Sequence, residues 1–203
     1  MEQEHNDKRG GERLLAECIA ARLCHDLAAP VAVLLNGLQT IEEDAGEFDE
    51  ETLALLLEGA RRAQARLRLA RGLFGPASAA FGSLDAVAAL VDPVLAERRV
   101  TACWQAAAGT PSAEEGRVVA LGLLVGLECL PRGGRLEVAC ASIRISGERV
   151  TPPEGLPQAL AGDPGAVAGA RLAPALMLGR LLADGGRSAR LEESQDGLTL
   201  SWS

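Results

Sequence analysis

The chain has 203 residues, with 28 acidic against 20 basic side chains and a net charge of −8, and its pI lies near 4.9. Its apolar share of 48% is mostly Leu, Ala and Val, with three Phe, two Trp and no Tyr. The acidic balance argues against a nucleic-acid partner, and the missing rings argue against base-stacking platforms. The opening Met1-Glu-Gln-Glu-His-Asn-Asp is acidic and polar, unlike a secretory signal. The longest apolar run, Val118 to Leu127, is about half a membrane span and is broken by glycines. Five cysteines is an odd number, and four sit in apolar or alternating patterns, so they read as reduced, buried thiols. A cytoplasmic protein without a membrane partner is expected.

In chain order, residues 1–11 are polar, end in Gly10-Gly11 and read as a disordered tail. Helix one is predicted from Glu12 to about Asp44. Leu23, Leu27, Val31, Leu34, Leu38 and Ile41 recur at spacings of four and three, as a buried face would. The acidic turn Glu43-Asp44-Ala45-Gly46 ends it. Helix two is capped by Asp49, with Phe48 stapling to Leu53. Leu53, Leu56, Ala60, Ala63, Leu67, Ala70 and Phe74 then form a heptad seam. A short turn between long helices implies an antiparallel hairpin, residues 12–75, and its apolar surface implies pairing with a second copy as a four-helix bundle.

Gly72, Gly75, Pro76 and Ser78 mark a linker, and residues 82–203 form a second domain. A helix is predicted from Leu84 to Glu97, then a strand Val100–Gln105. Ser112 and Glu115 make a capping box for a helix from Ala113 to Leu130. Pro131-Arg-Gly-Gly is a turn, Arg135–Ile145 is extended chain, and residues 151–169 are loop with one helical turn. A helix of about Arg171 to Ala183 ends at Gly185-Gly186. Strands Arg187–Glu192 and Leu198–Trp202 flank an Asp196-Gly197 hairpin turn. The fold class is α+β: a helical hairpin plus an α/β sandwich.

One side chain stands out. His25 is one of two histidines, and at about 100° per residue it points roughly 160° from Leu27, toward water or a partner. Its face carries Cys18, Ala21, Ala29, Ala32, Asn36 and Gln39, small or uncharged residues that let another protein approach. Pro30 removes the amide that would serve the Asp26 carbonyl. A lone helical histidine is by itself an ordinary solvated residue. Metal binding lacks converging ligands, because Cys18 is about 10 Å along the axis. A Cys24–His25 nucleophile pair fails because the two side chains diverge by about 100°, and haem attachment needs a cysteine where Ala21 stands.

The whole stretch says more. His25-Asp26-Leu27-x-x-Pro30-Val31, on the first helix of such a hairpin, resembles the phosphoacceptor box of sensor histidine kinases. Pro131-Arg-Gly-Gly and Leu181-Leu-Ala-Asp-Gly-Gly resemble their ATP-binding domain, with its nucleotide chemistry missing. The family's metal-binding asparagine would fall near Val125, on a helix without Asn. Ile145-Ser-Gly-Glu replaces the Asp-x-Gly-x-Gly motif, and Gly165-Ala-Val-Ala-Gly-Ala-Arg lacks the lid's Gly-x-Gly spacing. A kinase-like bundle on an ATP-silent sandwich resembles the dimeric histidine phosphotransferases of the ChpT family, most specifically at Ala21-Arg-Leu-Cys-His-Asp.

That resemblance implies a phosphorelay protein. His25 would be the phosphoacceptor and Asp26 its orienting acid. The phosphoryl group would pass from the receiver domain of a hybrid histidine kinase to response regulators, without ATP, with no metal or cofactor of its own and with Mg2+ arriving on the receiver. Ala29 stands where kinases often place a polar residue that orients water, which suggests transfer without hydrolysis. Arg22, Ala29, Ala32, Asn36, Arg66, Arg68 and Arg71 would form the partner surface. By rise per residue the second helix passes His25 near Leu67–Arg71. Arg61, Arg62, Arg66, Arg68 and Arg71 crowd that segment with no acid among them, as a solvated face or as a patch steering an acidic receiver. Arg22, one turn before His25, is expected on nearly the same face. The competing readings are an ATP-using kinase core and a non-catalytic dimeric adaptor or inhibitor.

Overall fold

A computed structural model describes residues 2–43, 49–75, 79–105, 111–139, 141–163, 169–194 and 196–203, with side chains described from Gly10 onward, Ala79 excepted. Helix α1 spans Glu2–Glu43 and α2 spans Glu50–Phe74. Asp49 caps α2, its carboxylate accepting the Thr52 amide at 2.5 Å. Phe48, the expected staple, lies outside the described residues, as does most of the expected turn. Residues 2–11, expected as a tail, continue α1 through Gly10-Gly11. Each residue added to an existing helix gains a hydrogen bond, which offsets a glycine cost of about 1 kcal/mol.

The hairpin is antiparallel. A methyl group on Gly37 would meet Leu56, one on Gly59 would meet Val33 and Leu34, and Asp26 pairs with Arg66, so α2 climbs as α1 descends. Small residues make the crossing: that Gly59 methyl would also lie 3.3 Å from the Pro30 carbonyl oxygen. Gly11, Cys18, Arg22, Pro30, Gly37, Thr52, Gly59, Leu69, Gly72 and Leu73 are the buried positions among the described hairpin residues.

The predicted stripes are therefore displaced. Val31 (53%) and Leu38 (55%) are exposed rather than buried, and so are Leu53 (45%) and Leu67 (42%) of the expected seam. A spacing of three and four identifies an apolar stripe but not which of two neighbouring stripes faces the partner helix. In this chain the small residues take the inner stripe and several large leucines take the outer one. By length and composition alone, residues 10–43 of α1 are long and apolar enough to cross a membrane, although no continuous apolar run marks them.

The second half begins at α3 (Leu84–Glu97), then β1 (Val100–Trp104), α4 (Ala113–Glu128), β2 (Gly134–Ala139) and β3 (Ser142–Ser146). Short α5 (Leu156–Leu160), α6 (Ala173–Asp184), β4 (Ala189–Ser194) and β5 (Gly197–Trp202) complete it. The strands form one sheet in the order β1-β2-β3-β5-β4. The pair β1–β2 is parallel and the other pairs are antiparallel. The stretch Arg135–Ile145, expected as extended chain, holds two antiparallel strands, β2 and β3.

Alternate sheet residues Leu136, Val138, Ile143, Ile145, Leu198, Leu200 and Trp202 are buried beneath α4. The capping box of α4 is present: the Ser112 hydroxyl accepts the Glu115 amide and the Glu115 carboxylate accepts the Ser112 amide. Every α4 residue from Val118 to Glu128 is buried, because the sheet lies on one side and the other helices on the other.

The joint between the halves is packed. Phe81, 1% exposed, fills a slot where a methyl group on Gly72 of α2 would come within 2.7 Å of its ring, and where one on Gly116 of α4 would strike its carbonyl oxygen. Arg117 donates to the Leu73 carbonyl across the same joint. Gly72, read as part of a linker, serves close packing instead; Pro76 and Ser78 lie outside the described residues.

Candidate functional site

The middle of α1 presents His25 to solvent: its side chain is 69% exposed. The ring Nδ1 lies 3.3 Å from Asp26 Oδ1, a long hydrogen bond. Asp26 is held from two further sides. Its Oδ2 accepts Arg22 Nε at 2.8 Å, and its Oδ1 lies 3.2 Å from Arg66 Nη1.

Each of those arginines reaches the second half of the chain. Arg22 Nη1 donates to Glu128 Oε1 at 2.7 Å, and Arg66 Nη2 donates to Glu97 Oε2 at 2.6 Å. The other Glu128 oxygen accepts Arg171 Nε at 2.9 Å, and Arg171 Nη2 also reaches the Glu128 carbonyl at 3.1 Å. One chain of charge-assisted bonds therefore runs from the ends of α3 and α4 to the residue beside His25. A hollow of about 180 Å³ sits against it, with His25, Arg66, Arg98 and Glu128 in its wall.

Arg22, expected as an exposed docking residue, is 5% exposed. Its position one turn before His25 turns it inward beside Asp26 and away from the open side of the helix. Burial opposes its charge, and Asp26 and Glu128 outweigh that opposition, holding its pKa above the ordinary value.

Ala29, Ala32 and Asn36 are exposed as expected, and α2 passes His25 at Arg66, close to the predicted place. The arginine patch is divided. Arg66 faces α1, whereas Arg68, two residues on, points about 160° from it; Arg68 and Arg71 are exposed. Acids outside the run complement it: Glu58, one turn earlier on α2, pairs with Arg62, and Asp26 and Glu97 from other elements pair with Arg66. Cys24, read as buried, is exposed; Cys18, placed on the open face with His25, is instead buried, 8% exposed, as part of the core. Cys129 is buried, Cys103 half-buried, and Cys140 lies outside the described residues.

Sequence reasoning missed Glu97, Glu128 and Arg171. Glu128 had a signal: it is the lone acid in the otherwise apolar stretch from Val118 to Leu130. Among the described residues no cluster of three or more His, Cys, Asp or Glu could hold a metal ion. Val125, at the place of the kinase asparagine, is 2% exposed, and most of the expected lid segment lies outside the described residues.

Residues 84–197 match the family model described as the histidine phosphotransferase C-terminal domain. Over 140 residues the chain is 31% identical to the protein phosphotransferase ChpT of Brucella abortus (strain 2308), covering 68% of this chain and 64% of that one. The match thus spans just under two thirds of that relative's length. A solved structure described as a bacterial phosphotransferase aligns with a TM-score of 0.73 over 93% of this chain and 95% of that one. Its identity is 24%, so it speaks for the fold.

Proposed function

The chain belongs to the histidine phosphotransferase C-terminal domain family, whose model spans more than half of it, and we propose that it is a phosphotransferase carrying a phosphoryl group on His25 between receiver-domain aspartates. The observation that carries this reading is the exposed His25 ring with one nitrogen turned to Asp26. With Nδ1–H donating to the carboxylate, the lone pair sits on Nε2, the nitrogen left free to react. Nε2 attacks the phosphorus of an aspartyl phosphate in line; the N–P bond forms as the P–O bond to the receiver carboxylate breaks, and that carboxylate leaves with the bonding pair. Positive charge growing on the ring is stabilised at Nδ1 by Asp26. Mg2+, supplied by the acidic cluster of the receiver, would neutralise the phosphoryl oxygens. The chain contributes position and charge, so the transfer runs in either direction.

The partners we infer are a hybrid-kinase receiver, response regulators and a second copy of this chain. Exposed Ala29, Ala32 and Asn36 leave room beside the imidazole, and Arg68 and Arg71 are the arginines of the proposed surface that are exposed to an acidic receiver. The outer stripe of Val31, Leu35, Leu38, Leu53, Leu57 and Leu67 is the face for the second copy, and it accounts for the apolarity of α1 without a membrane. ATP has no part in this proposal, because Val125 and Ser146-Gly147 offer neither an amide ligand nor a carboxylate for a nucleotide.

The test is label transfer. A ³²P-phosphorylated receiver domain should label the parent chain and leave His25→Ala unlabelled at unchanged dimer mass. Undiminished label on His25→Ala would refute the proposal, and a dimer without any transfer would make the chain an adaptor.

A further inference from the structure

Glu128 is hard to explain as a stabilising residue. It ends α4, where the helix dipole disfavours negative charge, and it is 4% exposed within a helix otherwise apolar over its last eleven residues. Buried ion pairs seldom repay their desolvation against apolar replacements, and their best-attested use is to fix one arrangement over another. What Glu128 fixes is visible. Its Oε1 receives Arg22 Nη1 at 2.7 Å, while Nε of the same guanidinium holds Asp26 Oδ2 at 2.8 Å. The planar fork of the guanidinium fixes the angle between the two bonds, so Glu128 sets the Asp26 carboxylate from one side while Arg66 Nη1, 3.2 Å from Oδ1, holds it from the other. Asp26 Oδ1 in turn faces His25 Nδ1 at 3.3 Å. Arg171 clamps Glu128 through both its side chain and its carbonyl.

We propose that Glu128 is a positioning residue: through Arg22 and Asp26 it holds His25 in the Nδ1–H tautomer and presents Nε2, so the sandwich sets the readiness of a histidine 103 positions earlier in the chain. This deepens the phosphotransfer reading and rests on it for the rate, but not for the tautomer. A free histidine side chain prefers the proton on Nε2; the carboxylate held by Arg22 reverses that preference. Removing the Glu128 charge frees Arg22 to turn, the Asp26 carboxylate loses its two-sided hold and pivots on its one remaining contact with Arg66, and the proton returns to Nε2, the nitrogen that must attack.

The chain has two histidines, so a His5→Gln background leaves one imidazole for ¹⁵N NMR. In that background Glu128→Gln should shift His25 toward the Nε2–H tautomer, in the same direction as Asp26→Asn. Single-turnover transfer from a phosphorylated receiver should fall about tenfold in maximal rate, with the half-saturating receiver concentration changed less than about twofold. Glu128→Asp should recover part of the tautomer shift. A folded Glu128→Gln protein with the parent's tautomer ratio overturns the proposal. If that variant does not fold, Arg22→Lys, which keeps the charge and loses the fork, is read by the same two criteria. A parent that never accepts label sinks the phosphotransfer reading while the tautomer ratios still decide this one.

Discussion

The two halves of the chain handle apolar surface in opposite ways. Among the described residues, every large apolar side chain that is exposed, from Leu14 to Leu67, lies on the helical hairpin. The described residues of the sandwich include none, and its sheet and helices close over Leu121, Leu123, Ile143, Ile145 and Leu176, each at 0% exposure. A sandwich completes its core within one chain, because two layers cover each other. A two-helix hairpin has only one contact face, so its second apolar stripe stays open until something covers it. The difference leaves a closed core in one half and an uncovered apolar stripe on the other, with His25 on the half that is left open.

The largest expected effect tests that division directly. Leu123→Ala, in the closed half, should cost about 4 kcal/mol of unfolding free energy, as for a leucine whose cavity cannot collapse. Leu38→Ala, a leucine 55% exposed on the open half, should change single-chain stability by less than about 0.5 kcal/mol. Its effect should appear instead as a rise in the concentration at which dimers dissociate in sedimentation equilibrium. Equal losses of stability in urea titrations, with dissociation unchanged, would break the comparison.

Next in size is the polar tie between the halves. Arg22→Ala leaves Asp26 and Glu128 each with one remaining arginine, so the loss should be about 3 kcal/mol, at the low end for a broken buried pair. Replacing both partners, Arg22→Met with Glu128→Leu, should restore most of that stability while leaving phosphoryl transfer impaired. Urea midpoints and transfer rates on the same three proteins separate a strut from a positioning device. Transfer that recovers along with stability would make the tie structural only.

How much of this was legible in the sequence follows from the range of each interaction. Caps, turns and periodicity are local, and the helix boundaries at Asp49, Ser83 and Ser112 and the turn at Asp196-Gly197 could be read from neighbouring residues. His25, Asp26 and Pro30 form a contiguous pattern, so the centre of the site could be read as well. The side on which Arg22 lies could not. Its partner Glu128 is 106 positions away, and nothing local distinguishes an arginine facing solvent from one facing a carboxylate on another element. The stripe error has a similar origin: Leu38 and Leu34 satisfy the same spacing, and only the close approach of Gly59 to Pro30 decides which faces α2.

The smallest effect at neutral pH concerns two thiols, one on each half. Cys24 is exposed on the hairpin, whereas Cys129 is buried in the sandwich at the end of α4. Burial pushes the Cys129 thiol up to about 12 from an ordinary value of 9.0, with Glu128 adding to the shift and Arg171 opposing it. A folded-state pKa above the unfolded one means that the unfolded chain loses this proton first as pH rises. The contribution of Cys129 is therefore fully present below pH 9 and falls away between pH 9 and 12. Comparing urea midpoints of the parent and Cys129→Ala at pH 8 and pH 10.5 isolates that term from other groups titrating there. The gap between the two proteins should shift against the parent at the higher pH, and Cys24 should be alkylated well before Cys129 in the folded protein. Rapid alkylation of Cys129 under native conditions would mean that the sandwich opens at the joint with α1, and the contrast between a closed half and an open one would then fail where the two meet.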